Sequence, residues 1–482
     1  MDKKMKLIGR TIEYERLNAC MSEDTAQLVI VYGRRRVGKT FLINQYFNNR
    51  FAFKVTGIYG QNRKVQLQNF ITELSLITGI RYKVPRDWME AFGHLREYVG
   101  TLDRNEKQVL FFDEMPWMDT QKSDFLPAFE WFWNGFASAL DHIVLVACGS
   151  ATSWMDEKLA NNKGGLFNRQ TCKLFLEPFN LCEAEQYLLH RNIRWSRYEI
   201  TECYMIMGGI PYYLSLLKPS KSFRQNIDDL FFSNRGELWD EFEHLYRTLF
   251  SNSDSYIKVV EALSKKTNGL TREEIASQTR IPAGGDLTKI LNNLSLSGFV
   301  RLSRFYNNKK KNALYQLADY YTLFYFRYIK DRYGKDENYW SNSVDNPARR
   351  SWAGLTFEQV CKDHISQIKR KLGITGILSD EYSWFESEDE EEGRQGAQID
   401  LLIDRRDHVV TLCEMKYSLG EYVINKEYDM NLRNKLEAFR IATNCKKTLQ
   451  LLMITTYGVK PNKYSGLLTN QITLDDLFKS KE

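Results

Sequence analysis

The sequence predicts an α/β protein: a parallel-sheet domain over residues 1–180, a helical segment over 181–250, a three-helix and hairpin unit over 251–330, and a second α/β domain over 331–482. Three observations carry this. Short apolar runs (Leu28–Tyr32, Val109–Phe112, Ile143–Ala147) alternate with helix-length segments of mixed polarity, the pattern of parallel strands with crossover helices. A glycine-rich loop joins the first of these runs to a helix. A second group of strand-like runs, beginning near residue 398, carries carboxylates inside apolar sequence.

The length of 482 residues corresponds to about three domains at ~150 residues each. Hydrophobic residues make up 43% and charged residues 27%, which excludes a disordered, collagen-like or mucin-like chain. The net charge of +6 is too small to argue for a nucleic-acid partner by itself, so any basic face must be local. The eight cysteines form no C-x-x-C pair and no secretory leader is read before them, so reduced thiols and a cytoplasmic location are expected. Apolar runs fall short of the ~20 residues a membrane span needs, so no membrane partner is expected. Cys361 and His364 lack a second ligand pair and read as helix packing rather than a zinc site.

After Leu28–Tyr32 comes Gly33-Arg34-Arg35-Arg36-Val37-Gly38-Lys39-Thr40, which fits G-x-x-x-x-G-K-[ST], and a helix opens at Phe41. In such a loop the glycines let backbone N–H groups converge on a β-phosphate. Lys39 presents a point charge to the β/γ oxygens, and the Thr40 hydroxyl ligates Mg²⁺. Val109–Phe112 ends in Asp113-Glu114: Asp113 is suited to hold Mg²⁺ through water, and Glu114 to polarise the attacking water. The run Ile143–Ala147 leads to Ser150, which reads either as a γ-phosphate sensor or as a plain β-turn serine.

These features, with Ile8-Gly9-Arg10, Glu13, Leu17, Gly149-Ser150, Leu166-Phe167-Asn168-Arg169 and Gly208-Gly209-Ile210-Pro211-Tyr212-Tyr213-Leu214, resemble the archaeal-type ATPases of the AAA+/STAND superfamily. The resemblance implies an AAA+-like P-loop domain with a helical lid that binds and hydrolyses ATP with Mg²⁺. It also implies that Arg169 senses the γ-phosphate in cis or from a neighbouring subunit of a homo-oligomer; a surface salt bridge is the plainer reading of that arginine.

Helical patterns at Ser255–Lys265, after the capping box Thr271/Glu274, and at Asp286–Ser297 precede the runs 299–302 and 313–317, which together suggest a winged helix. Arg301, Arg304, Tyr306, Lys309, Lys310 and Lys311 on that hairpin are suited to tracking DNA phosphates, and a protein partner is an equal reading. The polar stretch Asp331–Arg350 reads as a linker, and the acidic run Glu386–Glu392 as a solvated loop.

Beyond a helix at Thr356–Lys371, Asp400 lies in Gln398–Ile403 and Glu414-Met415-Lys416 closes the run that starts at Val409; another strand follows at Leu451–Thr455. Glu414 and Lys416 share a strand face, and Asp400 joins it only if its antiparallel partner is even-numbered, such as 412 or 414. A salt-bridged Glu/Lys strand pair is the plain alternative. The arrangement resembles the PD-(D/E)XK nuclease superfamily, with Ile399 where that motif usually has proline, and so implies a restriction-endonuclease-like fold. By this resemblance Asp400, Glu414 and the helical Glu358 bind Mg²⁺, and Lys416 positions the water or stabilises the phosphorane.

Overall fold

A computed structural model describes residues 8–161, 164–250, 252–306, 313–332, 336–388 and 396–480. The chain forms two compact units, Met1–Pro178 with Leu245–Ser253, and Phe179–His244 with Asp254–Glu482.

In the first unit five strands, β1 (Gln27–Tyr32), β2 (Phe53–Thr56), β3 (Gln108–Asp113), β4 (Ile143–Gly149) and β5 (Cys172–Phe175), form a wholly parallel sheet in the order β2-β3-β4-β1-β5. β1, β3 and β4 are central and almost entirely buried, so they appear in sequence as unbroken apolar runs. The short strands β2 and β5 were not expected. Each has four residues with alternating burial and sits at an edge of the sheet. An aromatic layer of Phe53, Phe70, Trp88, Phe92, Phe112 and Phe129 packs between the sheet and the helices Arg63–Thr78, Trp88–Val99 and Phe125–Gly135. Truncating one of these rings to alanine costs about 3–5 kcal/mol. The rigid sheet thereby fixes the C-terminal ends of β1, β3 and β4, where the candidate residues lie.

The second unit begins with helices that carry their own caps. Asn180/Glu183 and Ser196/Glu199 form capping boxes at Leu181–His190 and Arg197–Met207. The helices Ser253–Ser264, Arg272–Thr279 and Gly285–Leu296 follow, the second opened by the expected Thr271/Glu274 box. The strands β6 (Val300–Ser303) and β7 (Leu314–Leu317) then pair antiparallel. Lys309, Lys310 and Lys311 of the expected basic turn lie outside the described residues.

The described residues of Asp331–Arg350 do not form the linker their composition suggests. Trp340 is fully buried against Phe324, Tyr328 and Trp352, its backbone N–H donates to Asp228, and Arg349 forms a buried ion pair with Glu202. One large ring outweighs the polar residues around it, because burying it gains far more than exposing its short neighbours loses. The following helix also starts earlier than expected, at Pro347, and breaks at His364, so that Pro347–Asp363 and Ile365–Lys371 replace a single helix over 356–371. Cys361 and His364 are both buried, and His364 accepts from the Leu181 N–H through Nε2 at 2.9 Å, a packing role.

The C-terminal sheet runs β12-β11-β10-β9-β8, with β8 (Ser379–Glu386), β9 (Ala397–Arg405), β10 (Val409–Lys416), β11 (Thr448–Thr455) and β12 (Asn470–Thr473). β9 pairs antiparallel with both β8 and β10, while β10, β11 and β12 run parallel. β8 and β12 were missed because their sequences are polar and they lie at the sheet edges. Residues 389–392 of the acidic run lie outside the described residues. Among the described residues no helix is long and apolar enough to cross a membrane.

Candidate functional site

The loop after β1 is shaped by close backbone approach. Gly33 has φ +145, and a Cβ placed there would stand 2.4 Å from the Leu176 carbonyl oxygen, so only glycine fits. Gly38, at φ +89, turns the chain into the helix Lys39–Tyr46. Val37 and Arg34 are buried, while Arg35 and Arg36 are half-buried. Arg10, quoted in the motif but given no role from sequence, holds the loop from outside. Its guanidinium donates to the Val37 carbonyl at 3.1 Å and the Glu177 carbonyl at 2.8 Å, and pairs with Glu13 at 3.3 Å.

The Lys39 ammonium is buried inside the loop and donates to the carbonyls of Gly33 at 3.0 Å and Arg34 at 2.9 Å. Burial lowers its pKa, against the pull of Cys148, Glu114 and Asp113. One residue on, the Thr40 hydroxyl donates to the Asp113 carboxylate, 3.1 and 3.0 Å from its two oxygens. The sheet therefore brings Lys39, Thr40 and Asp113 together. A hydroxyl and a carboxylate side by side are hard oxygen donors that suit Mg²⁺, which favours oxygen ligands.

Glu114 sits in the left-handed region at φ 44, just past β3. Its carboxylate accepts from the Ser150 hydroxyl, 2.9 and 2.7 Å from its two oxygens, and from the Ser150 N–H at 3.0 Å. The sequence did not anticipate that Ser150 grips Glu114. Adjacent ends of neighbouring parallel strands would have been the signal. Arg169 is exposed on the turn before β5, with no side-chain ion pair among the described residues.

In the second unit the β9–β10 ladder ends at Leu401↔Cys413. The register of β9 against β8 then shifts between Tyr382↔Leu402 and Trp384↔Ile399, so Asp400 lies at an irregularity of the strand and the required pairing with 412 or 414 is not made. Glu414 is buried and saturated: it accepts from Tyr428 Oη at 2.6 Å and Lys435 Nζ at 2.7 Å, and pairs with Lys416 at 2.9 Å. Burial raises its pKa, but Lys435 and Lys416 more than offset this, leaving it lowered. Asp400 accepts from Gln398 Nε2 at 2.7 Å. Glu358, on Pro347–Asp363, is pushed up to about 8, first by burial and then by Asp400.

The expected Mg²⁺ cage of Glu358, Asp400 and Glu414 is not formed: among the described residues no three such ligands converge on a metal position. The reason is local, since two ammonium groups and a phenol occupy the Glu414 oxygens. Tyr428 and Lys435 were missed from sequence, although seven residues apart on one helix they share a face. The hairpin residues likewise depart from expectation. Arg301 pairs with Asp363, and Tyr306 packs against Tyr382 and Phe439 in the C-terminal core rather than standing on an open phosphate-tracking face.

Residues 7–217 match a family model described as an ATPase domain predominantly from Archaea. Over 435 residues the chain is 24% identical to an uncharacterized protein of Methanocaldococcus jannaschii, covering 89% of this chain and 92% of that protein. A 43-residue stretch, 9% of this chain and 73% of the relative, is 46% identical to an uncharacterized ATP-binding protein of the same organism. Similar solved structures include a Walker-type ATPase of Pyrococcus abyssi, with 17% identity and a TM-score of 0.48 over 67% of this chain and 96% of that one. The ORC2 protein of Aeropyrum pernix, in ADPNP-ADP complexes, gives 15% identity and a TM-score of 0.42 over 67% and 93%.

Proposed function

We propose that the chain binds and hydrolyses ATP in the loop Gly33–Thr40 and uses that cycle to control a C-terminal nuclease-like segment acting on DNA. The observation that carries this is the convergence of Lys39, the Thr40 hydroxyl and the Asp113 carboxylate at the ends of β1 and β3. Mg²⁺ held by Thr40 and Asp113 would neutralise charge on the β- and γ-phosphates. Lys39 exchanges its carbonyl partners for phosphate oxygens, which return in charge what the loop supplies in hydrogen bonds. Glu114 takes the proton from the attacking water, and Ser150 fixes the orientation of that carboxylate. Arg169 is assigned the γ-phosphate contact, in cis or across a homo-oligomer.

In this reading residues 1–180 are the ATPase domain, 181–250 its lid, 251–330 a winged helix that also offers a surface to a protein partner, and 331–482 the nuclease-like domain, in a cytoplasmic protein. A second reading, a nucleotide-dependent switch whose C-terminal domain binds without cutting, is favoured by the saturation of Glu414 by Lys416, Lys435 and Tyr428. A plasmid-nicking assay with Mg²⁺ separates the two. Nicking by the wild type that Lys416→Ala abolishes supports cleavage, and no nicking by either protein leaves the switch.

A further inference from the structure

The cavity of about 260 Å³ beside the C-terminal carboxylates is walled jointly by the hairpin and the helix Pro347–Asp363. Arg301 and Gln316 come from the hairpin, Glu358 and Lys362 from the helix, and Asp400 from β9. A second hollow of about 400 Å³ shares Arg301, Lys362 and Asp400 with the first. The hairpin wall is fixed to the C-terminal sheet. Phe305 bridges to Ser383 in parallel, with Tyr306 N–H donating to the Ser383 carbonyl at 3.0 Å and Ser383 N–H to the Arg304 carbonyl at 2.9 Å. These residues therefore form one site rather than a free wing near a separate domain.

Lys362 lies one helical turn beyond Glu358, so the two side chains share a face. Among the described residues its amine makes no hydrogen bond or ion pair; burial lowers its pKa, Asp400 and Glu358 pull it back up, and Arg301 pushes it down, so an anion in the hollow would favour its charged form. A cation placed in a polar hollow without a partner is an unusual arrangement, because an ammonium withdrawn from water normally finds a carboxylate. Arg301 is already paired with Asp363. Lys265 and Arg327, both exposed, stand at the same cavity.

We infer that this cavity binds a phosphodiester of a nucleic-acid strand, with Lys362 as the anchoring cation and Lys265 and Arg327 at its mouth. A diester carries one negative charge. A free phosphate or pyrophosphate carries more and meets the Asp400 carboxylate in the same hollow, so the strand is favoured over the free anion. The inference rests on the nucleic-acid reading proposed above, but it requires no cleavage and no metal.

The test uses the full chain carrying Lys39→Ala, so that the nucleotide loop contributes nothing, in EDTA. Binding of a fluorescein-labelled 20-base-pair DNA duplex is followed by anisotropy at several salt concentrations, and pyrophosphate is added as competitor. Lys362→Ala is expected to weaken duplex binding about tenfold and reduce the salt slope by about one, the signature of one lost phosphate contact, while Lys362→Arg restores both. Pyrophosphate should compete weakly; strong competition abolished by Lys362→Ala would overturn the strand as the source.

Equal affinity and slope in parent and Lys362→Ala would overturn the site, as would absence of duplex binding by the parent. If Lys362→Ala fails to fold, Lys265→Ala decides from an exposed position: weaker binding supports the site and unchanged binding refutes it. Failure of the cleavage reading looks different, since a wild type that never nicks but binds in a Lys362-dependent way keeps this site intact.

Discussion

Glu358 offers a test of the C-terminal site that needs no knowledge of its ligand. Its carboxyl is raised from 4.5 to about 8, chiefly by burial and then by Asp400. In the unfolded chain it ionises near its ordinary value, so between pH 4.5 and 8 the native state holds a proton that the unfolded state has released. Stability associated with this group is therefore complete below pH 4.5 and falls as pH rises, levelling above pH 8. A rise from 4.5 to about 8 is worth ~5 kcal/mol at ~1.4 kcal/mol per unit, and water in the adjoining cavity reduces this to ~2 kcal/mol or more. Glu358→Gln keeps the shape and removes the ionisation. Unfolding by urea in EDTA, followed at pH 5 and pH 9, should show the wild type losing at least ~2 kcal/mol relative to the variant. Parallel behaviour of the two proteins would refute the burial of this carboxyl beside Asp400. The same logic makes the carboxyl a poor metal ligand until a cation displaces its proton.

Three further outcomes follow from the geometry. Gly33→Ala should destabilise the nucleotide-free protein more than Gly38→Ala in thermal melts. Both need positive φ, worth ~1–2 kcal/mol, but only the first drives a Cβ onto the Leu176 carbonyl, adding another ~1–3 kcal/mol; the reverse order would contradict the loop described. Lys435→Met should destabilise the second unit by ~2–3 kcal/mol, less than the full loss of a buried partner because Lys416 still serves Glu414. It should also raise the Glu414 pKa, so that acid unfolding begins at higher pH; an unchanged acid transition would count against the pairing. Arg10→Ala should weaken nucleotide binding several-fold without touching nucleotide, because the loop loses its anchors at Val37 and Glu177; isothermal titration with ADP reads this, and unaltered affinity would remove Arg10 from the account.

Where the physics is local, the sequence was legible. β1, β3 and β4 are buried on both faces, and their apolar runs announce them; the loop Gly33–Thr40 needs its glycines wherever it occurs. The capping box Thr271/Glu274 is a local hydrogen-bonding device and was read correctly. What escaped depends on partners distant in sequence. Ser150 meets Glu114 only because β3 and β4 are neighbours, and Lys435 meets Glu414 only because its helix packs on the C-terminal sheet, over β9 and β8. The even register of Asp400 could be posed as a requirement from spacing, but the shift of β9 between Ile399 and Leu402 that decides it belongs to no motif, and neither do Tyr428 and Lys435, which occupy the Glu414 oxygens. Trp340 shows the opposite failure: a polar neighbourhood concealed one ring that the fold buries completely.

The central claim is that the loop around Lys39 grips a triphosphate whose hydrolysis Glu114 promotes. Titration of labelled ATP, with phosphate release measured on the same samples, tests it directly. The wild type should bind and turn over, Glu114→Gln should bind but stall, and Lys39→Ala should do neither; equal binding and equal turnover by all three proteins would contradict it.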